Sequence, residues 1–195
     1  LQHHFDFYSY LMMSESILSP REIRRYARQI VLPEIGISGQ EKLKQAKVLV
    51  IGAGGLGCPV LQYLAAAGTG KIAIAEFDIV SEANLQRQVL YGSVDVGKLK
   101  SVIAIKRVEH LNDLIETERI NLKIDASNSL NILKDHDVIV DATDNLKARY
   151  IINDSCVILG KPMVHGAIYK YEGQVSVFNY HGGPTYRCYN PQSGA

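Results

Sequence analysis

Apolar residues recur with two different periods along this chain, and the alternation between them predicts its architecture. VLVI at 48–51, IAIA at 72–75 and VIV at 138–140 are short, largely β-branched runs, as strands buried on both faces are. Segments of helical period lie between them. From Gly97 to about Asn112, apolar residues at 99, 102, 103, 105 and 108 mark an amphipathic helix. Ser19-Pro20-Arg21-Glu22 is a capping box with proline at the first helical position. It predicts a helix carrying REIRRYARQ and stopping near Pro33 or Gly36, followed by a short helix over SGQEKLKQA and a strand over Lys47–Ile51. A glycine turn then opens a helix to about Ala67, which Gly68-x-Gly70 ends.

The remaining elements follow in the same way. KIAIAEF (71–77) is a second strand, RINLKID (119–125) a short alternating one, and DHDVIVDATDN (135–145) a buried strand ending in acids. A helix over 146–159, a strand over KPMVHGA and a hairpin over IYKYEGQVSVFNY with Glu172-Gly173 at its turn complete the chain. The fold class is α/β: a Rossmann-like, doubly wound, mostly parallel sheet with N-terminal helices and an antiparallel C-terminal hairpin.

In such a sheet, ligands bind beyond the carboxyl ends of the strands, so the residues just after each strand carry the candidate chemistry. Gly52-x-Gly54-x-x-Gly57 follows the first strand and opens a helix. Gly52 allows the tight turn, Gly54 and Gly55 let a ligand approach the backbone, and Gly57 lets the helix pack on the strand. Glu76 lies 19 positions after Gly57, where an acid hydrogen-bonds a ribose. Both features fit NAD and ATP equally. Asn84-Leu85-Gln86-Arg87-Gln88 and Lys100 favour a triphosphate, whose charge calls for planar Arg and point-charge Lys donors. Asp144, after the DVIV strand, is the candidate for a Mg²⁺ that keeps most of its waters, while Asp141 is read as a metal-facing acid or a helix cap. Gly92-SVDV-Gly97-Lys98 imitates a phosphate-binding loop, but Leu99 replaces the required Ser or Thr and no apolar strand precedes it.

Bulk properties narrow the picture. The 195 residues suffice for one well-buried domain, expected over 18–195. Residues 1–17, with His3, His4 and no initial Met, are expected to be a disordered or non-native extension. A net charge of +1 offers no field for nucleic acid, and no stretch has the length of a membrane span. Cys58, Cys156 and Cys188 form no C-x-x-C pair and suit a reducing cytoplasm, so a complete zinc site is not expected and Cys188 is at most a lone ligand.

Taken in order, GAGGLG, the acid before FD, NLQRQ, VGKLK, DATDN, YEGQVSVF and YRC resemble the ThiF/MoeB/HesA adenylyltransferases, bacterial relatives of ubiquitin-activating enzymes. The resemblance runs from about Ser19 to the end. It implies ATP-dependent activation of the C-terminal Gly-Gly carboxylate of a ubiquitin-like sulfur-carrier protein as an acyl-adenylate, for molybdopterin or thiamin synthesis. YEGQ leans toward the molybdopterin branch. The glycine loop with Gly55 and Glu76 would hold the nucleotide, and Ala83, Asn84, Leu85, Gln86 and Arg87 would follow its ribose and phosphates. Lys100 would neutralise phosphate charge, and Asp144 would position Mg²⁺ with Asn145 beside it. Arg28 matches an arginine inserted into the neighbouring subunit's site, which implies a homodimer. Two positions depart from the pattern: Glu76 replaces a frequent Asp, and Thr185 stands where a first zinc cysteine is often found. The family's second C-x-x-C would lie beyond Ala195, so a truncated or divergent chain is expected. The competing readings are an NAD(P)-dependent oxidoreductase, with His165 or Tyr169 as proton donor, and a non-catalytic subunit that binds a ubiquitin-like partner.

Overall fold

The computed structural model describes residues 16–191, so the expectation for residues 1–15 lies outside them. Ser16 and Ile17, expected in the extension, both bond to Glu41, at 2.6 and 3.0 Å. The capping box forms as read. The Ser19 hydroxyl accepts from the Glu22 N–H, and the Glu22 carboxylate accepts from the Ser19 N–H at 2.7 Å, which starts α1 (Pro20–Arg25). The expected single helix breaks at Tyr26 and resumes as α2 (Ala27–Ile30). Tertiary packing causes the break: Tyr26 is buried, its ring covers Gly68, and its hydroxyl accepts from Asn112 at 2.8 Å. Gly36 begins α3 (Gly36–Gln45) rather than ending the first helix.

Six strands form one sheet: β1 (Lys47–Ile51), β2 (Lys71–Ala75), β3 (Glu116–Ile120), β4 (Val138–Asp141), β5 (Met163–Tyr169) and β6 (Glu172–Phe178). Their order is β3-β2-β1-β4-β5-β6, with β1 to β5 parallel and β6 antiparallel to β5. The chain moves outward on one side of β1 and then returns to its other side at β4, which creates a switch point. Ile51 pairs with both Ala75 and Asp141, so three carboxyl ends lie level there.

Alternate strand residues divide the core. Val48, Val50, Ile72 and Ile74 pack under α4 (Gly57–Ala67) and α5 (Lys100–Leu111). Leu49, Ile51, Ala73 and Ile139 pack under α6 (Ser129–Leu133), α7 (Leu146–Leu159) and α8 (Tyr186–Tyr189). The short helices α6 and α8 have no counterpart in the sequence pattern. No helix of the described residues is long and apolar enough to cross a membrane.

Two further elements differ from expectation. The third strand is Glu116–Ile120, not 119–125, because its partner β2 ends at Ala75 opposite Ile120. Residues beyond Ile120 leave the sheet, and Asp125 closes a turn by accepting from Ser127 and Asn128. The hairpin turns at Lys170-Tyr171, with Lys170 at φ 54° and Tyr169 paired to Glu172. Glu172-Gly173 therefore begins β6 instead of forming the turn.

Glu22 joins the N-terminal helices to the rest of the domain. Burial acts to raise its carboxyl pKa, but the Lys44 ammonium at 2.7 Å and the Ser19 amide and hydroxyl outweigh it and hold the group below its ordinary value. A depressed folded-state pKa gives stability that is present above the unfolded value and lost as pH falls through the folded one. Glu22→Gln should therefore lower unfolding free energy at pH 7 by about 1 kcal/mol. Denaturant titrations at descending pH should show the difference from wild type closing below the carboxylate range, and a pH-independent difference would refute this origin.

Candidate functional site

A cleft of about 670 Å³ opens at the level carboxyl ends of β1, β2 and β4. Its floor is the glycine loop, its sides are the segments after β2 and β4, and Lys123 to Asp125 contribute its rim. Two of the loop glycines are imposed by the backbone. Gly52 has φ 94°, and a Cβ there would lie 2.8 Å from the Ala142 carbonyl oxygen. A Cβ on Gly57 would lie 2.0 Å from the Gly52 carbonyl oxygen, so α4 can start this close to β1 only without a side chain. Gly54 and Gly55 instead face the cleft, and their nearest neighbours are Gln88 and Arg87.

Ala53, between these glycines, is held at both polar ends. Its N–H donates to Glu76 Oε2 at 2.9 Å, and its carbonyl accepts from the Tyr91 hydroxyl at 2.8 Å. Burial pushes the Tyr91 hydroxyl pKa well up, so it stays a donor. Glu76 Oε1 accepts from the N–H groups of Phe77 and Asp78, at 2.8 and 2.9 Å. Glu76 thus ties the glycine loop to the turn after β2, and three amides leave an ionised carboxylate further acceptor capacity toward the cleft.

Two cations reach the same space. Arg87 lies against Gly55, with its guanidinium held by Asn84 Oδ1 at 2.9 Å. Lys100, the first residue of α5, is buried with its ammonium 3.3 Å from Asp78. The other residues of that stretch sit elsewhere. Ala83 and Gln86 are exposed, and Leu85 packs on the core. None of these three lines the cleft, whereas Gln88 does.

After β4, Asp141 is fully buried and caps no helix. Its Oδ1 accepts from the Thr143 amide and hydroxyl at 3.1 and 2.7 Å, and its Oδ2 meets His165 Nδ1 at 2.9 Å. This fixes the turn that presents Thr143, Asp144 and Asn145 to the cleft. Asn145 also caps α7 by accepting from the Ala148 N–H at 3.1 Å. His165 points away from the cleft, against Phe178 and Tyr186, and Tyr169 is exposed outside the lining. The two side chains named as oxidoreductase proton donors are therefore not at the site.

No group of three metal-ligating side chains gathers among the described residues. Asp144 on the cleft lip fits Mg²⁺, which is commonly held by one or two carboxylates together with substrate phosphates. Cys188 is exposed beside Thr185 Oγ1 at 3.4 Å, a contact that lowers its thiol pKa. Arg28 is exposed on α2, outside the lining of this cleft. The loop imitation at Gly92–Lys98 forms a short 3-10 turn around Asp95, which accepts from the Gly92 N–H at 3.0 Å and pairs with Arg107 at 3.3 Å. It too lies outside the cleft. The sequence pattern named Gln88 only as the end of the Asn84–Gln88 stretch and passed over Asp78 and Lys123 as site residues. Asp78 adjoins Glu76 closely enough to be found, but Lys123 was concealed by the strand pattern.

Known proteins resemble this chain in sequence and fold. A sulfur carrier protein adenylyltransferase of Thermus thermophilus is 51% identical over 176 residues, covering 88% of this chain and 65% of that protein. The adenylyltransferase and sulfurtransferase MOCS3 of Xenopus laevis is 46% identical over 180 residues, covering 92% of this chain and 40% of that protein. The chain thus spans about two fifths to just under two thirds of the length of these relatives. Among solved structures, E. coli MccB with MccA-N7isoASN superposes with a TM-score of 0.78 at 28% identity, over 88% of this chain and 51% of that one. PaaA superposes with a TM-score of 0.76 at 28% identity, over 87% and 55%. Residues 26–195 match the ThiF family, and the chain belongs to it.

Proposed function

We propose that this chain is the ATP-binding adenylation unit of an enzyme that activates the C-terminal Gly-Gly carboxylate of a ubiquitin-like sulfur carrier as an acyl-adenylate. One observation carries the reading: Arg87 and Lys100 converge on a glycine loop at the switch point of a parallel sheet. The names of the relatives, sulfur carrier protein adenylyltransferase and molybdopterin-synthase adenylyltransferase among them, support the same chemistry. They also favour the molybdopterin branch over thiamin synthesis. The three free cysteines suit a reducing cytoplasm.

The reaction asks little of general bases. A carboxylate is ionised at neutral pH and attacks the α-phosphorus directly, with pyrophosphate leaving from the opposite side. Orientation and cancellation of charge are the demands that remain. Gly54 and Gly55 open the backbone to the phosphates, and Glu76 receives the ribose hydroxyls. Arg87 and Lys100 exchange Asn84 and Asp78 for phosphate oxygens as negative charge builds up on the leaving group. Asp144, with Asn145 beside it, holds Mg²⁺, which when bound offsets phosphate charge. Arg28 completes the site of a second subunit in a homodimer.

Three measurements test the reading. Calorimetry should show binding of Mg-ATP and not of NADH, and NADH binding alone would overturn the proposal. Arg87→Ala should lower carrier-dependent ATP–pyrophosphate exchange by about 100-fold, the scale of losing one donor to a developing oxyanion. Its thermal midpoint should not change, because Arg87 is exposed. Mixing Arg28→Ala with Arg87→Ala subunits should restore roughly a quarter of the wild-type exchange rate, because half of the random dimers carry one intact composite site. No recovery on mixing would refute the shared site.

A further inference from the structure

Asp141 and His165 are register partners on β4 and β5, with side chains 0% and 1% exposed and Oδ2 2.9 Å from Nδ1. An ionised carboxylate only accepts, so Nδ1 carries the proton of this bond. The rest of the imidazole packs on Phe178 and Tyr186, with ring centroids 6.0 and 4.9 Å away. Nε2 is sealed from solvent and has no hydrogen-bond partner among the described residues.

That unpartnered nitrogen indicates what the histidine does. A phenyl ring would fill the same space against Phe178 and Tyr186 and bury no orphaned polar atom, which is costly. Packing therefore does not account for histidine at this position. The gain lies at Nδ1, which supplies a donor to a carboxylate buried at the end of β4. Held at Oδ2, Asp141 turns Oδ1 to the Thr143 amide and hydroxyl, at 3.1 and 2.7 Å. The next residue is Asp144, exposed on the lip of the cleft. A second tether reaches the same turn from α7, where Arg149 donates to the Thr143 carbonyl at 3.0 Å.

We infer that His165 is a positioning residue for the nucleotide site, acting from the core through Asp141 and Thr143 on the direction in which Asp144 meets the cleft. It touches neither ligand nor reacting atoms. The inference rests on the reading of Asp144 as the Mg²⁺ carboxylate, and adds the buried donor that keeps this carboxylate aimed. Mg²⁺ is exacting about ligand geometry, so a carboxylate on a loosened turn serves it poorly. Because Arg149 still tethers Thr143, loss of the His165 donor loosens the turn without releasing it.

The test is calorimetry on the full chain with ATP, in Mg²⁺ and separately in EDTA, for wild type, His165→Phe and His165→Asn. Phenylalanine keeps the ring and removes the donor. Asparagine gives up the ring and places a side-chain N–H where Nδ1 stood. His165→Phe should bind Mg-ATP about tenfold more weakly, the low end for losing an outer hydrogen-bond partner of a metal ligand. Its affinity for metal-free ATP should stay within about twofold of wild type, since Arg87 and Lys100 share no partner with His165. His165→Asn should recover most of the lost Mg-ATP affinity even though its smaller side chain lowers the thermal midpoint, a combination that a packing role does not produce. Equal losses with and without metal overturn the assignment. So does unchanged Mg-ATP affinity in folded His165→Phe, or a His165→Asn variant that binds Mg-ATP no better than His165→Phe. If His165→Phe does not fold, Thr143→Val breaks the same chain of bonds by removing one hydroxyl near the surface. A metal-selective loss there supports the assignment, and an unchanged ratio of Mg-ATP to metal-free affinity overturns it. A wild-type chain that binds ATP no more tightly with Mg²⁺ refutes the reading of Asp144, and one that binds no ATP at all refutes the nucleotide reading itself.

Discussion

The close approach of Gly57 to the Gly52 carbonyl is the contact on which the rest of this structure depends. With no Cβ at either position, α4 starts directly against the end of β1, and the loop between them lies open at the switch point. Every other feature of the cleft is referenced to that loop. Glu76 and Tyr91 grip Ala53 from opposite sides, Arg87 lies against Gly55, and the Ala142 carbonyl closes on Gly52 from the neighbouring strand. The loop is therefore already shaped before a ligand arrives, and a ligand seated there would cost it little conformational entropy.

Charge is arranged around that frame with the same economy. The buried Lys100 ammonium and the exposed Arg87 guanidinium are each held by one internal oxygen, from Asp78 and Asn84 respectively. Single, exchangeable partners keep a cation in place without neutralising it beyond recovery, which suits the phosphate-binding role proposed for both groups. Asp141 shows the opposite design. It is fully buried and bonded to His165 and Thr143, so it acts as a post for the turn that carries Asp144 and leaves the exposed acid to face the cleft.

Much of this was legible in the residue pattern, for local reasons. The capping box at Ser19–Glu22, the strand Lys47–Ile51 and the helix Leu146–Leu159 each carry start or stop signals within a few residues, and each appears where those signals lie. The misplaced elements are those whose limits are set by a neighbour. β3 ends where β2 ends, the first helix breaks where Tyr26 must cover Gly68, and the hairpin turns where the β5–β6 register runs out. The same distinction holds at the site. Arg87 and Glu76 follow from motif spacing, but the acid they share the cleft with, Asp78, and the choice of Gln88 over Ala83, Leu85 and Gln86 as a lining residue emerged only when the segment after β2 folded back over the glycine loop.

By itself the sequence determined the class of fold, the position of the glycine turn and the chemical character of the groups at the strand ends. All of these rest on interactions between residues close together in the chain. Tertiary structure alone decided the division of labour among like residues: that Asp141 supports while Asp144 faces the cleft, that His165 belongs to the core, and that Gln88 has a polar group with no partner among the described residues. Burial and hydrogen-bond partners assign those roles, and both depend on which distant segments meet across the sheet.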